Sequence, residues 1–188
     1  MSNDSVKRTM LVALALCVVC SILVSAAVVL LRPRQEENRR IEELKNILIA
    51  SALYTTDSEV IDRYNRNIRR MTIRLESGKE EEAEFRKAGL DPERYDLKEA
   101  ALKRAFSEEI AAADDLAGLK RRPKWVNIFL IMEKGQLQGV VLPVFGKGLW
   151  STMYGFLSLD IDLKTIRGFS FYEHGETPGL GGEVDNPR

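Results

Sequence analysis

The chain has 188 residues, of which 28 are Lys or Arg, 28 are Asp or Glu and one is His, so its formal net charge is zero. This balance gives no overall positive field to attract a phosphate backbone, and we expect no nucleic-acid partner. Hydrophobic residues make up 45% and charged residues 30%, a mixture typical of a folded domain and not of a disordered chain. The length is sufficient for one membrane segment and one domain of ordinary size.

A short N-terminal tail (1–9) precedes a segment, 10–31, that contains no charged residue. In a helix rising about 1.5 Å per residue this segment extends about 33 Å, enough to cross the hydrocarbon core of a lipid bilayer. A cleaved signal peptide is the alternative, because basic residues precede the segment and 24–26 is a possible cleavage site. The apolar run continues beyond that site and ends before Arg32, so the sequence favours an uncleaved single-pass transmembrane helix. The charges flanking it leave its orientation open.

The sequence predicts no metal site. Cys17 and Cys20 both lie within the apolar segment and have no second cysteine pair or histidine nearby, so they indicate neither a zinc site nor a disulfide framework. Asp114 and Asp115 are too isolated to predict a cation site. The one histidine, His174, is predicted to lie in a solvated loop, with a proton relay as the less favoured interpretation.

The segment 32–124 is predicted to be a charged helical linker followed by a helical layer. Apolar residues recur at three- and four-residue spacing to about residue 68, which predicts helices. Alternating apolar and polar residues at 71–76 predict a short strand that ends in a turn. The sequence from 79 to about 119 is rich in Glu, Lys and Ala, and Asp91 followed by Pro92 predicts the start of a helix with Asp91 as its N-cap.

The segment 125–188 has the pattern of a sheet. Four strand-like stretches are separated by turns, one of them at Lys134–Gly135; the stretches are 125–132, 139–145, 149–159 and 166–172. Consecutive strands with short connections predict an antiparallel sheet. Together with the upstream helices, this predicts an α+β fold: one extramembrane domain with a mostly antiparallel sheet and covering helices.

Two glycine-containing loops interrupt this sheet. The first, 145–155, reads FGKGLWSTMYG, and the second, 173–183, reads EHGETPGLGGE. Neither matches a phosphate-binding P-loop or a dinucleotide fingerprint. In the second loop, Gly179, Gly181 and Gly182 can adopt positive φ and leave backbone N–H groups accessible to an oxyanion or a ring carbonyl. The residues alone leave both a simple turn and a ligand-binding loop open.

The strings at 142–155 and 175–184 resemble the NqrC subunit of the sodium-translocating NADH:quinone reductase, as does the order of one N-terminal span, a charged linker and a sheet. The resemblance is specific from about 140 to 187 and looser elsewhere. The flavin subunit of the Rnf electron-transport complex shares the Glu-Thr-Pro-Gly-Leu-Gly core and is an alternative. The Gly-Gly-Glu-Val continuation and the Leu-Trp-Ser-x-Met-Tyr string favour the sodium pump. From another class, a membrane-anchored binding or structural domain without flavin also stays open.

The resemblance implies a redox subunit that carries FMN and relays electrons from NADH towards ubiquinone, coupled to sodium export, within a complex of several subunits. It also implies the bacterial inner membrane, with the soluble domain on the periplasmic side. The residues that it implies for cofactor binding are Trp150, Ser151, Glu176, Thr177, Leu180 and Gly181. It implies no catalytic side chain and no metal ligand, because the redox chemistry belongs to the cofactor.

In the family, FMN is joined through a phosphoester bond to a threonine in a Ser-Gly-Ala-Thr segment downstream of the second loop. No such segment occurs in the 188 residues, and neither Thr152 nor Thr177 matches that position. We therefore assign no covalent site. We expect a C-terminally truncated member of the family, with an incomplete sheet that has an unpaired edge and with no activity of its own.

Overall fold

The computed structural model describes residues 3–185; residues 1–2 and 186–188, the outer ends of the predicted tail and of the predicted sheet segment, lie outside the described range. The chain divides into two compact units, Met1–Ile41 and Glu42–Arg188. Helix α1 (Asn3–Ala50) belongs to both units: its residues up to 41 lie in the first unit, and its last turns, 42–50, lie in the second.

The first unit is a helix whose apolar surface is uncovered. The side chains of residues 10–30 are exposed throughout. The helix from Val6 is long and apolar enough to cross a membrane, with a mean hydropathy of 3.0 in its most apolar window. An apolar surface on every face of a helix suits surrounding lipid and not water. The predicted segment 10–31 lies entirely within this helix.

The second unit is built on a five-stranded antiparallel sheet with the strand order β1-β4-β5-β6-β7. Its strands are β1 (Ile68–Arg74), β4 (Trp125–Glu133), β5 (Gln136–Lys147), β6 (Thr152–Asp160) and β7 (Ile166–Glu173), while β2 (Ser107–Glu109) and β3 (Arg121–Pro123) form a separate pair. The antiparallel sheet and the α+β class are confirmed. The predicted turn between β4 and β5 is also confirmed, because Lys134 and Gly135 have φ angles of 50° and 80°, as a two-residue hairpin turn requires.

The helical prediction for residues 79–119 was wrong in extent. This region contains only two short helices, α3 (Glu82–Lys87) and α4 (Leu97–Leu102), which follow α2 (Val60–Asn67) in the chain. Asp91 does not start a helix, since Pro92 is held in a buried turn by the Asn127 Nδ2 group, which donates to the Pro92 carbonyl at 2.9 Å. Asp96 is the N-cap instead, and it accepts from the backbone N–H groups of residues 98 and 99 at 2.8 and 3.2 Å.

The core lies on one face of the sheet. Phe129 and Phe156 of this face contact each other edge to face, with centroids 5.8 Å apart. The buried end of α1 packs against β7: the Ser170 hydroxyl donates to Asn46 Oδ1 at 2.5 Å. A Cβ atom at Gly168 would lie only 2.4 Å from the Ala50 carbonyl oxygen. This close approach fixes β7, and with it the start of the segment that follows the strand.

Candidate functional site

Two loops lie side by side at the same end of the strands of the sheet. Loop A (residues 148–151) connects β5 to β6, and loop B (residues 174–182) follows β7. Because β6 and β7 are antiparallel and Tyr154 is opposite Glu173, the start of β6 and the end of β7 are neighbours. Together these loops contain all six residues predicted to bind the cofactor.

A buried carboxylate joins the two loops. Glu176 of loop B is only 7% exposed, and its Oε1 atom accepts hydrogen bonds from the backbone N–H of Trp150 at 3.1 Å and of Ser151 at 3.0 Å. The Ser151 hydroxyl donates to the same oxygen at 3.1 Å and accepts from the Gly175 N–H at 2.7 Å. We call these four residues the Glu176 clamp. It also explains why β6 begins at Thr152 and not at 149 as predicted: the N–H groups of Trp150 and Ser151 bind Glu176 and not a neighbouring strand.

The clamp stabilises the ionised form of its carboxyl group. Burial by itself raises the pKa of Glu176, but the hydrogen bonds from the Ser151 and Trp150 backbones and from the Ser151 hydroxyl together hold this pKa below its usual value. The carboxylate is therefore charged at neutral pH. Its burial is tolerated because oriented N–H and O–H donors replace water.

The glycines around the clamp have different roles. A Cβ atom at Gly148 would lie 2.5 Å from Glu176 Oε1, and one at Gly181 would lie 3.1 Å from Glu176 Cβ. Added at Gly175, it would lie 3.2 Å from Ser151 Cβ. Gly179 has no neighbour within 4 Å and instead supplies a φ of +75°. Of the three glycines of loop B that can adopt positive φ, Gly179 does so, whereas Gly181 and Gly182 begin a short 3-10 helix (Gly181–Asp185).

Exposed apolar side chains flank the clamp on both loops. Trp150 is 72% exposed and Leu180 is 75% exposed, although each is next to buried backbone contacts. Thr177 is also exposed, and its carbonyl accepts from the N–H groups of Leu180 at 3.1 Å and Gly182 at 3.0 Å. An aromatic and an aliphatic side chain beside accessible polar groups can contact a planar ring and its polar edge.

Two further contacts hold the base of loop B. Lys98 Nζ of α4 donates to Glu173 Oε1 at 2.5 Å and lies 5.9 Å from the centroid of the Tyr154 ring. This hydrogen bond with Glu173 raises the pKa of Lys98. The solvated-loop interpretation of His174 is incomplete, since its side chain is half-buried and its Nδ1 atom accepts from the Glu176 N–H at 3.3 Å.

The six residues predicted to bind the cofactor stay a prediction, but all of them lie in these two loops; sequence reasoning did not single out Gly148, Gly175 or Lys98. Of the six, Trp150, Ser151 and Glu176 belong to the clamp and Gly181 packs against the Glu176 side chain. Thr177 and Leu180 are exposed in the turn that follows Glu176. The roles of Gly148 and Gly175 depend on side chains that lie 28 and 24 positions away in the chain. No local pattern could have revealed them.

Comparison with known proteins places this geometry in a family. The sequence model of the FMN-binding domain matches residues 148–187, which include both loops. The crystal structure of Shewanella oneidensis NqrC superposes with a TM-score of 0.71 at 31% identity, over 80% of this chain and 67% of that one. The corresponding protein of the Na+-translocating NADH-quinone reductase from Parabacteroides distasonis superposes with a TM-score of 0.61 at 26% identity, over 84% and 65% of the two chains.

Sequence similarity extends over the whole chain. The NqrC protein of the Na+-translocating NADH-quinone reductase from Pseudomonas aeruginosa is 43% identical over 190 aligned positions, which span 100% of this chain and 70% of that protein. The Yersinia pestis NqrC protein is 40% identical, over 99% of this chain and 69% of its own length. Identity at this level across the anchor, the sheet and both loops shows that the chain belongs to the NqrC family of Na+-translocating NADH-quinone reductase subunits.

Proposed function

We propose that this chain is the flavin-carrying redox subunit of a Na+-translocating NADH-quinone reductase, in which it relays electrons from NADH towards ubiquinone as part of sodium export. The observation that carries the proposal is the meeting of loops A and B within the segment that matches the FMN-binding domain. Their exposed apolar side chains lie beside polar groups, which suits a flavin. FMN supplies the one-electron chemistry when it is bound.

Each predicted site residue has a proposed role. Trp150 and Leu180, both exposed, would give apolar contacts to the isoalloxazine ring and exclude water from it. The exposed Thr177 hydroxyl and the backbone of Gly181 would make polar contacts to the edge of the ring. Ser151 and Glu176 would complete the binding site at its base, where they are hydrogen-bonded to each other.

The residues of loops A and B suit the ring of FMN, and neither of the two threonines near it matches the position of the family's attachment threonine. The threonines of loops A and B and of the neighbouring strand, Thr152 and Thr177, do not lie in a Ser-Gly-Ala-Thr segment. The contacts proposed for residues 148–182 are therefore noncovalent. The task of these residues is to bind the flavin, to orient it and to set the polarity of its surroundings.

We also propose a topology for the subunit. It has a tail (1–9), one transmembrane helix (10–31), a charged linker with a helical layer (32–124) and a flavin-domain sheet (125–188). The helix would cross the bacterial inner membrane once, with the domain on the periplasmic side, and the other subunits of the reductase would be its partners. The exposed apolar helix supports an anchor of this kind.

Titration with FMN tests the function. The full chain, purified in detergent, is titrated with FMN while flavin fluorescence and visible absorbance are recorded. We expect saturable binding that the pair of changes Trp150→Ala and Leu180→Ser weakens by about tenfold or more, since burial of a large apolar side chain contributes about 1.5–3 kcal/mol. Ile161→Ser, which changes an exposed apolar residue in the β6–β7 turn, is the matched control. Absence of binding, or equal binding by all variants, would refute the proposal.

A further inference from the structure

We propose that Glu176 is a positioning residue: its carboxylate locks loop A against loop B and so sets the relative placement of Trp150 and Leu180. This inference rests on the proposed flavin function for its consequence, but the lock itself is a property of the chain. It assigns Glu176 a task that differs from direct contact with the flavin ring.

The direction of the carboxylate carries the first part of the argument. Its Oε1 atom faces loop A, where two N–H groups and one hydroxyl converge on it at 3.0–3.1 Å. A carboxylate oxygen offers about two lone-pair sites, so three donors occupy it fully. The Glu176 side chain is 7% exposed, whereas Trp150 and Leu180 are each more than 70% exposed. An incoming planar ligand therefore meets these two side chains before it meets the carboxylate.

The surrounding glycines are an independent observation. At Gly148 the site of an added Cβ lies 2.5 Å from Glu176 Oε1, closer than side-chain atoms approach one another. At Gly181 the nearest atoms to an added Cβ are again those of Glu176, at 3.1 and 3.2 Å. Both loops thus leave room for this one side chain. A carboxylate whose role was only to contact a ligand would not require this space within the two loops, on the side away from the ligand.

The lock acts on the side chains that face outward. The Trp150 backbone N–H is bound to Glu176, and Leu180 lies one residue before Gly181, which packs against the same side chain. When the contacts of the carboxylate are lost, the backbone of loop A and the backbone of loop B are freed together. The two apolar side chains would then no longer be held at one spacing, and a rigid planar ligand would lose one of its two contacts.

Substitutions of Glu176 can separate the effect of its side-chain length from the effect of its charge. Glu176→Gln keeps the length and an acceptor oxygen, Glu176→Asp keeps the charge but is one methylene shorter, and Glu176→Ala removes both. If Glu176 positions the loops, Gln rescues FMN binding to within about threefold, while Asp and Ala weaken it by about tenfold or more. The midpoint potential of the flavin in the Gln variant then stays at the wild-type value. If Glu176 acts on the flavin by its charge, the Gln variant shifts that potential and the Asp variant does not, which would overturn the inference.

A flavin-free measurement keeps the two proposals distinguishable. Amide hydrogen exchange at Trp150 and Ser151, followed in the full chain without FMN, is expected to be about tenfold faster or more in Glu176→Ala than in the wild type. Gly148→Ala, which places a Cβ against Oε1, should show the same acceleration. Gly146→Ala, where the nearest atom is 3.8 Å away, is the matched control and should not.

Hydrogen exchange and FMN titration give separable outcomes. Unchanged exchange in both Glu176→Ala and Gly148→Ala would overturn the lock, whatever the FMN titration gives. Accelerated exchange in a chain whose wild type binds no FMN would establish the lock and refute the flavin function. If the Glu176→Ala variant does not fold, comparison of hydrogen exchange in Gly148→Ala and Gly146→Ala decides by itself whether the lock exists.

Discussion

The contact between Gly168 of β7 and the end of α1 leads to the sharpest prediction for stability. A Cβ added at Gly168 would lie 2.4 Å from the Ala50 oxygen and 3.2 Å from its carbonyl carbon. Ordinary van der Waals contact begins at 3.4 Å, so Gly168→Ala requires the strand and the helix end to separate by about 1.0 Å. Both neighbours are backbone atoms, and no flexible side chain can move to make the space.

The cost follows from what that separation disturbs. The hydrogen bond from the Ser170 hydroxyl to Asn46 is next to the contact, and the fully buried Ile47 and Leu48 occupy the same end of α1. Overpacking of this kind destabilises a core by about 1–3 kcal/mol. For a domain of about 150 residues this corresponds to a melting temperature lower by about 2–12 °C.

Thermal unfolding of the full chain in detergent, followed by circular dichroism, measures the effect. Gly146→Ala is the control, because its Cβ meets only Ala117 at 3.8 Å. That control should be neutral or stabilised by about 0.4–1 kcal/mol, since alanine restricts the unfolded chain more than glycine does. Equal melting temperatures for the two variants would show that α1 does not pack against β7 as described.

Two further predictions concern the clamp and the buried polar pair of the sheet. Because the pKa of Glu176 is lower in the folded chain than the unfolded value of about 4.3, the stabilisation by the clamp is fully present above that pH and is lost as the pH falls through the folded pKa. Chemical unfolding midpoints recorded from pH 6 to pH 3 should therefore fall more steeply in the wild type than in Glu176→Gln, and parallel curves would contradict this assignment. Thr72→Val removes the donor that binds buried Asn127 Oδ1 at 2.8 Å and should destabilise the domain by about 1–3 kcal/mol in urea unfolding. Thr165→Val, at an exposed turn, serves as its control and should have a smaller effect on stability.

The sheet was predictable because its signals are local. In β4 to β7, runs of apolar residues end at turns of two to five residues, and a hairpin is decided by residues that are neighbours in sequence. The region 79–119 was not predictable in the same way. Its Glu, Lys and Ala content favours helices, but tertiary contacts such as the bond from Asn127 to the Pro92 carbonyl hold the chain in turns.

The two loops could be singled out from the sequence, but their arrangement could not. Resemblance to the family identified both loops as a candidate binding site, whereas the residues alone favoured a simple turn. The bond from Ser151 to Glu176 spans 25 positions, so the pattern of neither loop indicates it. The glycines also illustrate the limit. Gly148 and Gly179 look alike in the sequence, yet one makes room for a carboxylate and the other supplies a positive φ.

The strand order of the sheet has a consequence for the way the domain is made during translation. The strands β4, β5, β6 and β7 pair with their neighbours in sequence, whereas β1 must wait for β4, which follows it after 50 residues. Short connections close quickly and at low entropic cost, and long ones do not. The first-synthesised parts of the domain therefore stay unpaired for some time: β1 until β4 emerges, and the end of α1 until β7 emerges. In a nascent chain tethered near a bilayer, the end of α1 and β1 would therefore be the apolar surfaces that stay exposed longest. These are the surfaces that a chaperone would protect from aggregation.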